Sequence, residues 1–79
     1  MNSILRIQQV GAATGLARST IYALVSNGLL TTQVKLSERA VGWPALEISA
    51  INAARIAGKT DAEIREIVVG LEAARQTAA

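Results

Sequence analysis

The run Arg18-Ser19-Thr20-Ile21-Tyr22 places four polar side chains of different chemistry within five positions. Arg18 offers a guanidinium fork that can grip a guanine edge in two places or hold a phosphate. Ser19 and Thr20 offer hydroxyls that donate to phosphate oxygens, and Tyr22 adds a phenol one turn on from Ser19. Two further cations, Lys35 and Arg39, follow within twenty residues. These groups suit binding to a polyanion, not bond making. The chain has no histidine and no cysteine, so a serine nucleophile lacks its usual base and a metal lacks its usual nitrogen and sulfur ligands. Of the five carboxylates after residue 43, four lie on one expected helix or its cap, where a solvated face explains them. Gly11 and Gly15 are isolated and make no phosphate loop. No enzyme activity, cofactor or metal is expected.

Each of these residues also has an ordinary use. Ser19 or Thr20 can cap a helix, Tyr22 can be a half-buried ring with its hydroxyl in water, and Arg18 can be a solvated charge. Lys35 and Arg39 can simply keep a hairpin tip soluble. Which use holds depends on the elements that present them.

Gln8 to Thr14, with Val10 and Ala13 on one face and Gly15 as a stop, reads as a first helix of about two turns. Leu16 and Ala17 turn the chain. A second helix then runs from Arg18 or Ser19 to about Ser26, with Ile21, Leu24 and Val25 at helical spacing and Tyr22 off that stripe. Asn27-Gly28 ends it. Two short helices joined through a glycine-containing turn have the helix-turn-helix pattern. From Val34 the period drops to two, with Val34 and Leu36 expected inward. Ser37 to Ala40 reads as a loop and Val41 to Trp43 as a returning strand. That hairpin carries Lys35 and Arg39 at or near its tip. Pro44 suits the first position of a third helix running to about Ala57, with Ile48 and Ile51 inward and Gly58 closing it. Thr60 and Glu63 have the spacing of a capping box, opening a fourth helix with Ile64, Ile67, Val68 and Leu71 at i, i+3, i+4 and i+7. The tail "ARQTAA" is expected to fray.

The chain is therefore expected to be mainly α: a small winged helix-turn-helix over residues 1–58, with a β-hairpin wing, and an extra C-terminal helix over 59–79. At seventy-nine residues, without disulfides, it sits near the size where one core becomes marginal. Residues 1–43 carry four cations against Glu38 alone, a balance of +3, whereas residues 44–79 carry four cations against five carboxylates, a balance of −1. A polyanion should meet the first half. No signal-peptide pattern opens the sequence and no apolar stretch is long enough to span a membrane, so a bacterial cytoplasmic, nucleoid-associated location is expected.

The stretch "LRIQQVGAATGLARSTIYALVSNGLL", then "VKLSERAVGW", then a helix with "EI" near its start, resembles the AlpA family of phage and prophage transcriptional regulators. These proteins are akin to excisionases and to the DNA-binding domain of MerR-type regulators. The resemblance covers residues 4 to about 57. Its most specific parts are "TGLARSTIY" and "RAVGW", and "GKTDAEI" is also seen in longer members. It implies a sequence-specific DNA-binding regulator, or alternatively an excisionase that bends attachment-site DNA. By position it puts Arg18, Ser19, Thr20 and Tyr22 on the recognition helix in the major groove, Lys35 and Arg39 on the wing, and Trp43 in the core between wing and third helix. Two departures stand out. Ala17 replaces the serine or threonine that many relatives use as N-cap, and Ala23 replaces a cation that many carry after the tyrosine.

Arg18, Lys35, Arg39 and Arg6 can neutralise about three or four phosphates, for a salt slope near −3 per protomer. That is modest for a specific regulator and points to a homodimer or a cooperative oligomer on DNA. The stripe Ile64, Ile67, Val68 and Leu71 either covers the domain's own core or dimerises. Val69 and Ile56 lie off their stripes, which favours association through the C-terminal part. On that view, deleting residues 60–79 leaves the DNA-binding chemistry intact and removes assembly. A reading of another class is a protein-binding adaptor that uses the apolar C-terminal helix.

Overall fold

The computed structural model describes residues 3–76. In chain order these form β1 (Ile4–Leu5), α1 (Ile7–Thr14), α2 (Arg18–Ser26), β2 (Val34–Ser37), β3 (Ala40–Pro44), α3 (Ala45–Ile56) and α4 (Asp61–Ala74). Four helices surround a small antiparallel sheet of order β1-β3-β2, a mainly helical arrangement consistent with a winged helix-like fold.

The helix-turn-helix pair forms for local reasons. The Gln9 carboxamide accepts the Arg6 N–H at 2.9 Å and so opens α1, which closes when Gly15 N–H donates to the Gly11 carbonyl at 2.8 Å. The far end of α2 is closed twice, by Gly28 N–H to Val25 O (3.1 Å) and Leu29 N–H to Leu24 O (2.9 Å). That paired closure needs a left-handed residue, and Gly28 supplies it at φ 73°.

The sheet departs from the sequence expectation in three ways. The lead segment Ile4–Leu5 is a strand, paired with Pro44 and Trp43; two residues are too few to show a period. Pro44 is the last residue of β3 and the N-cap of α3, not its first helical residue. Pairing opposite Ile4 keeps its ψ extended at 130°, and the helix begins one residue later, where Ala45 N–H donates to Ser3 O at 2.8 Å. Finally, Val34 and Leu36 do not face the core. Lys35 stands opposite Val41, two residues from the fully buried Trp43, so the inward face of β3 continues across to Lys35. Val34 stands opposite Gly42 on the outer face, and Leu36 is 44% exposed.

Gly42 is what lets β1 and β2 flank β3 this closely. A Cβ there would lie 2.5 Å from Ile4 Cγ2 and 2.8 Å from the Leu5 carbonyl oxygen. Gly42→Ala is expected to cost about 1–3 kcal/mol by forcing β1 away. A urea titration would read this as a lowered midpoint.

The core gathers Val10, Ile21, Trp43, Ile48, Ile51 and Ile64 among its buried side chains. Trp43 donates its indole N–H to the Thr31 carbonyl at 2.8 Å. The α4 stripe belongs to this core: Ile64 and Val68 are buried, while Ile67 and Leu71 are half-buried and pack against it. Ile64 and Val68 thus have almost no surface left for a second chain. Deleting residues 60–79 would strip the domain's own core, so that truncation does not separate assembly from folding. The expected capping box is present. Glu63 N–H donates to the Thr60 hydroxyl at 3.2 Å, and Thr60 N–H donates to the Glu63 carboxylate at 2.9 Å. Those Thr60 bonds hold the Glu63 carboxyl below the usual carboxylate range. The expected fraying of "ARQTAA" is overturned at its start, because Ala74 ends α4 and Arg75 is tied down by an ion pair with Glu47. Thr77 to Ala79 lie outside the described residues.

Candidate nucleic-acid interface

The start of α2 is built against local helix preference. Its N-cap is Ala17, extended at φ −71° and ψ 156°, with no side-chain oxygen to accept from the first turn. The backbone N–H groups of residues 18–20 find no acceptor among the described residues. Arg18 occupies the first helical position, with no acidic residue in the turn. A cation there opposes the helix dipole, whose positive end it shares. A missing cap and a repelled cation at the same helix end are local costs of the kind that mark a functional site.

Arg18, Ser19 and Thr20 are all exposed. Ser19 is the second helical residue and not the cap, and neither its hydroxyl nor that of Thr20 has a partner among the described residues. Ala23 is exposed as well, so the position that lacks a cation lies on the surface. Tyr22 does not stand clear of the core. Its ring is half-buried 6.0 Å from the Trp43 ring at 56°, a tilted aromatic pair that joins α2 to the inner strand of the wing.

That contact also orients the hairpin. Lys35 leaves the sheet on the same face as Trp43, the face Tyr22 packs against, and Arg39 lies in the two-residue turn at the tip with Glu38. Lys35 therefore sits along the strand, while Arg39 alone of the pair is at the tip. Both are exposed.

The fold adds two cations that linear order concealed. Arg55 of α3 shares the wall of a shallow cleft with Thr14, Leu16 and Thr20, and nearby Asn52 fixes α3 to the end of α1 through a 3.0 Å bond to the Ala13 carbonyl. Arg65 of α4 donates its Nε–H to the Asn27 carbonyl at 3.0 Å, beside the far end of α2. Both lie in the acid-base mixed half of the sequence, and only folding returns them to the helix-turn-helix. Of the chain's eight cationic side chains, Arg75 alone is in an ion pair among the described residues. The other seven keep their charge available to a polyanion. No described helix is long and apolar enough to cross a membrane, and the described residues contain no cluster of metal-ligating side chains.

The model of the prophage CP4-57 regulatory protein (AlpA) family matches residues 3–56, from the residue before β1 to the last residue of α3. The chain belongs to the AlpA family of prophage regulatory proteins. A phage relative agrees: uncharacterized protein ORF88 of Enterobacteria phage P4 is 44% identical over 55 residues, covering 70% of this chain and 62% of that protein. The chain thus spans less than two thirds of that relative's length. No solved structure matches it. The AlpA match ends where α3 ends, so α4 lies beyond it, although α4 supplies core residues and Arg65.

The uncapped start of α2 gives this AlpA-family chain a simple test. Ala17 already has the extended backbone of an N-cap, so Ala17→Ser is expected to raise stability by about 1 kcal/mol. A thermal melt followed by circular dichroism would show it as a higher midpoint.

Proposed function

We propose that this AlpA-family chain is a sequence-specific DNA-binding regulator of a phage, prophage or other integrated element. In this reading α2 enters the major groove with Arg18, Ser19 and Thr20 toward base edges and phosphates. Lys35 and Arg39 on the wing reach flanking backbone or the minor groove. Tyr22 contributes through the rim of its half-buried ring. The observation that carries the reading is the first turn of α2: an exposed cation and two unpartnered hydroxyls, at an uncapped helix start, next to a basic hairpin.

Arg55 and Arg65 raise the phosphate contacts within reach of one protomer from about four to about six, steepening the expected salt slope beyond −3. A regulator of this size gains specificity when two or more protomers share a site. The exposed apolar side chains Leu46, Ile56 and Val69, with the half-buried Ile67 and Leu71 of the α4 stripe, are the material for such an assembly. The test is a gel shift with DNA fragments flanking the chain's own gene, over a salt series and against unrelated competitor DNA. The expected result is a retarded band that resists competitor and disappears as salt rises. No preference for any flanking fragment at low salt would move the reading to a protein-binding adaptor.

A further inference from the structure

The segment joining α2 to β2 is held from the far end of the chain. Thr32 N–H donates to Glu72 Oε2 at 2.7 Å, and the Thr32 carbonyl accepts from Arg75 Nη2 at 2.8 Å. A longer contact, 3.4 Å, runs from Arg75 Nη1 to the Thr32 hydroxyl. The same guanidinium makes a two-pronged pair with Glu47 in the first turn of α3, Nε to Oε2 at 2.8 Å and Nη2 to Oε1 at 2.6 Å. One residue back, the Thr31 carbonyl accepts the Trp43 indole N–H. The Thr31–Thr32 peptide group is therefore fastened at both ends, its carbonyl to the wing's inner strand and its N–H to α4, and the next carbonyl is held by the Arg75 guanidinium that grips α3.

Stability is a poor explanation for this arrangement. Thr32 is exposed, so water would satisfy its backbone groups nearly as well. Glu47 is only 6% exposed, and an ion pair so far out of water returns little more than its desolvation costs. What a rigid fork with four defined acceptors does supply is geometry. We propose that Arg75, together with Glu72 and Glu47, is a positioning device that fixes the angle of the wing against α2, so that Lys35 and Arg39 meet DNA in register with Arg18. This inference rests on the DNA-binding reading above. It assigns a role to the part of the chain that lies beyond the AlpA match.

The experiment is a double-mutant cycle read by fluorescence anisotropy on a labelled random-sequence DNA duplex over a salt series. Lys35→Ala with Arg39→Ala removes the wing cations. In the unsubstituted background, Arg75→Ala is expected to weaken binding about tenfold and flatten the salt slope by about one to two. Arg75→Lys, which keeps the charge and loses the fork, should do the same. In the Lys35→Ala/Arg39→Ala background, neither substitution should change affinity or slope further. Glu72→Ala removes the acceptor of the Thr32 N–H, leaves the Arg75–Glu47 ion pair in place and should show the same dependence on background at smaller size, which covers the case of Arg75→Ala failing to fold. Equal losses in both backgrounds, or no loss in either, would overturn the positioning role. A failure of the unsubstituted chain to bind any duplex would instead overturn the DNA-binding reading on which it stands.

Discussion

Trp43→Ala is expected to remove a large share of the chain's stability against unfolding. The ring is fully buried, it meets Tyr22 of α2, and its indole N–H satisfies the Thr31 carbonyl. Truncating a buried tryptophan typically costs about 3–5 kcal/mol, while a domain of this length holds about 4–12 kcal/mol in all. The loss would fall on three elements together, because Trp43 lies on the central strand, against α2 and at the root of α3. Far-UV circular dichroism against urea would show a broad, early transition. Trp43→Phe keeps most of the apolar volume and leaves the Thr31 carbonyl unpaired, so a milder loss of about 1–3 kcal/mol is expected. A cooperative melt with an unchanged midpoint in Trp43→Ala would place the core elsewhere.

Arg18→Ala should separate binding from stability in the opposite sense. A base or phosphate contact by arginine carries about 1–3 kcal/mol, so affinity for a preferred DNA fragment is expected to fall about tenfold to a hundredfold. The salt slope should flatten by about 0.9, one phosphate's share, if the contact is to backbone. The same substitution removes a cation from the positive end of α2, where the first turn has no acid to offset it. Thermal stability is therefore expected to hold or rise slightly. A residue whose removal leaves the fold intact and weakens binding is one kept for function, and parallel anisotropy and melting measurements decide it. A loss of stability without loss of affinity would make Arg18 a structural charge.

The parts of this fold that were legible in the sequence are those set by local rules. The α4 stripe of Ile64, Ile67, Val68 and Leu71, the Thr60–Glu63 cap and the Asn27-Gly28 stop each declare themselves within a few residues. The hairpin was legible in place but not in facing, because Val34 and Leu36 alternate correctly and yet pack outside the core. The inward face is chosen by Trp43 on the partner strand, not by β2 itself. The contacts that shape the candidate interface were not legible. Asn52 to Ala13, Arg65 to Asn27, and Arg75 to Thr32 and Glu47 join residues 28 to 43 positions apart. No window of periodicity or charge reveals such pairs. The charge split at residue 43 accordingly assigned Arg55 and Arg65 to a half of the sequence from which folding brings them back. The tail "ARQTAA" has no stripe and so no local sign of order, yet a single arginine in it holds two helices and a loop.

The most direct measurement of the central claim is a two-dimensional 15N–1H NMR titration of the chain with a DNA duplex taken from the region flanking its gene. Binding through the helix and the wing is expected to perturb the amides of Arg18 to Ala23 and of Lys35 to Arg39 first and most. Smaller shifts are expected near Arg55 and Arg65. Perturbations confined to Leu46, Ile56 and Val69, or none at saturating DNA, would contradict it.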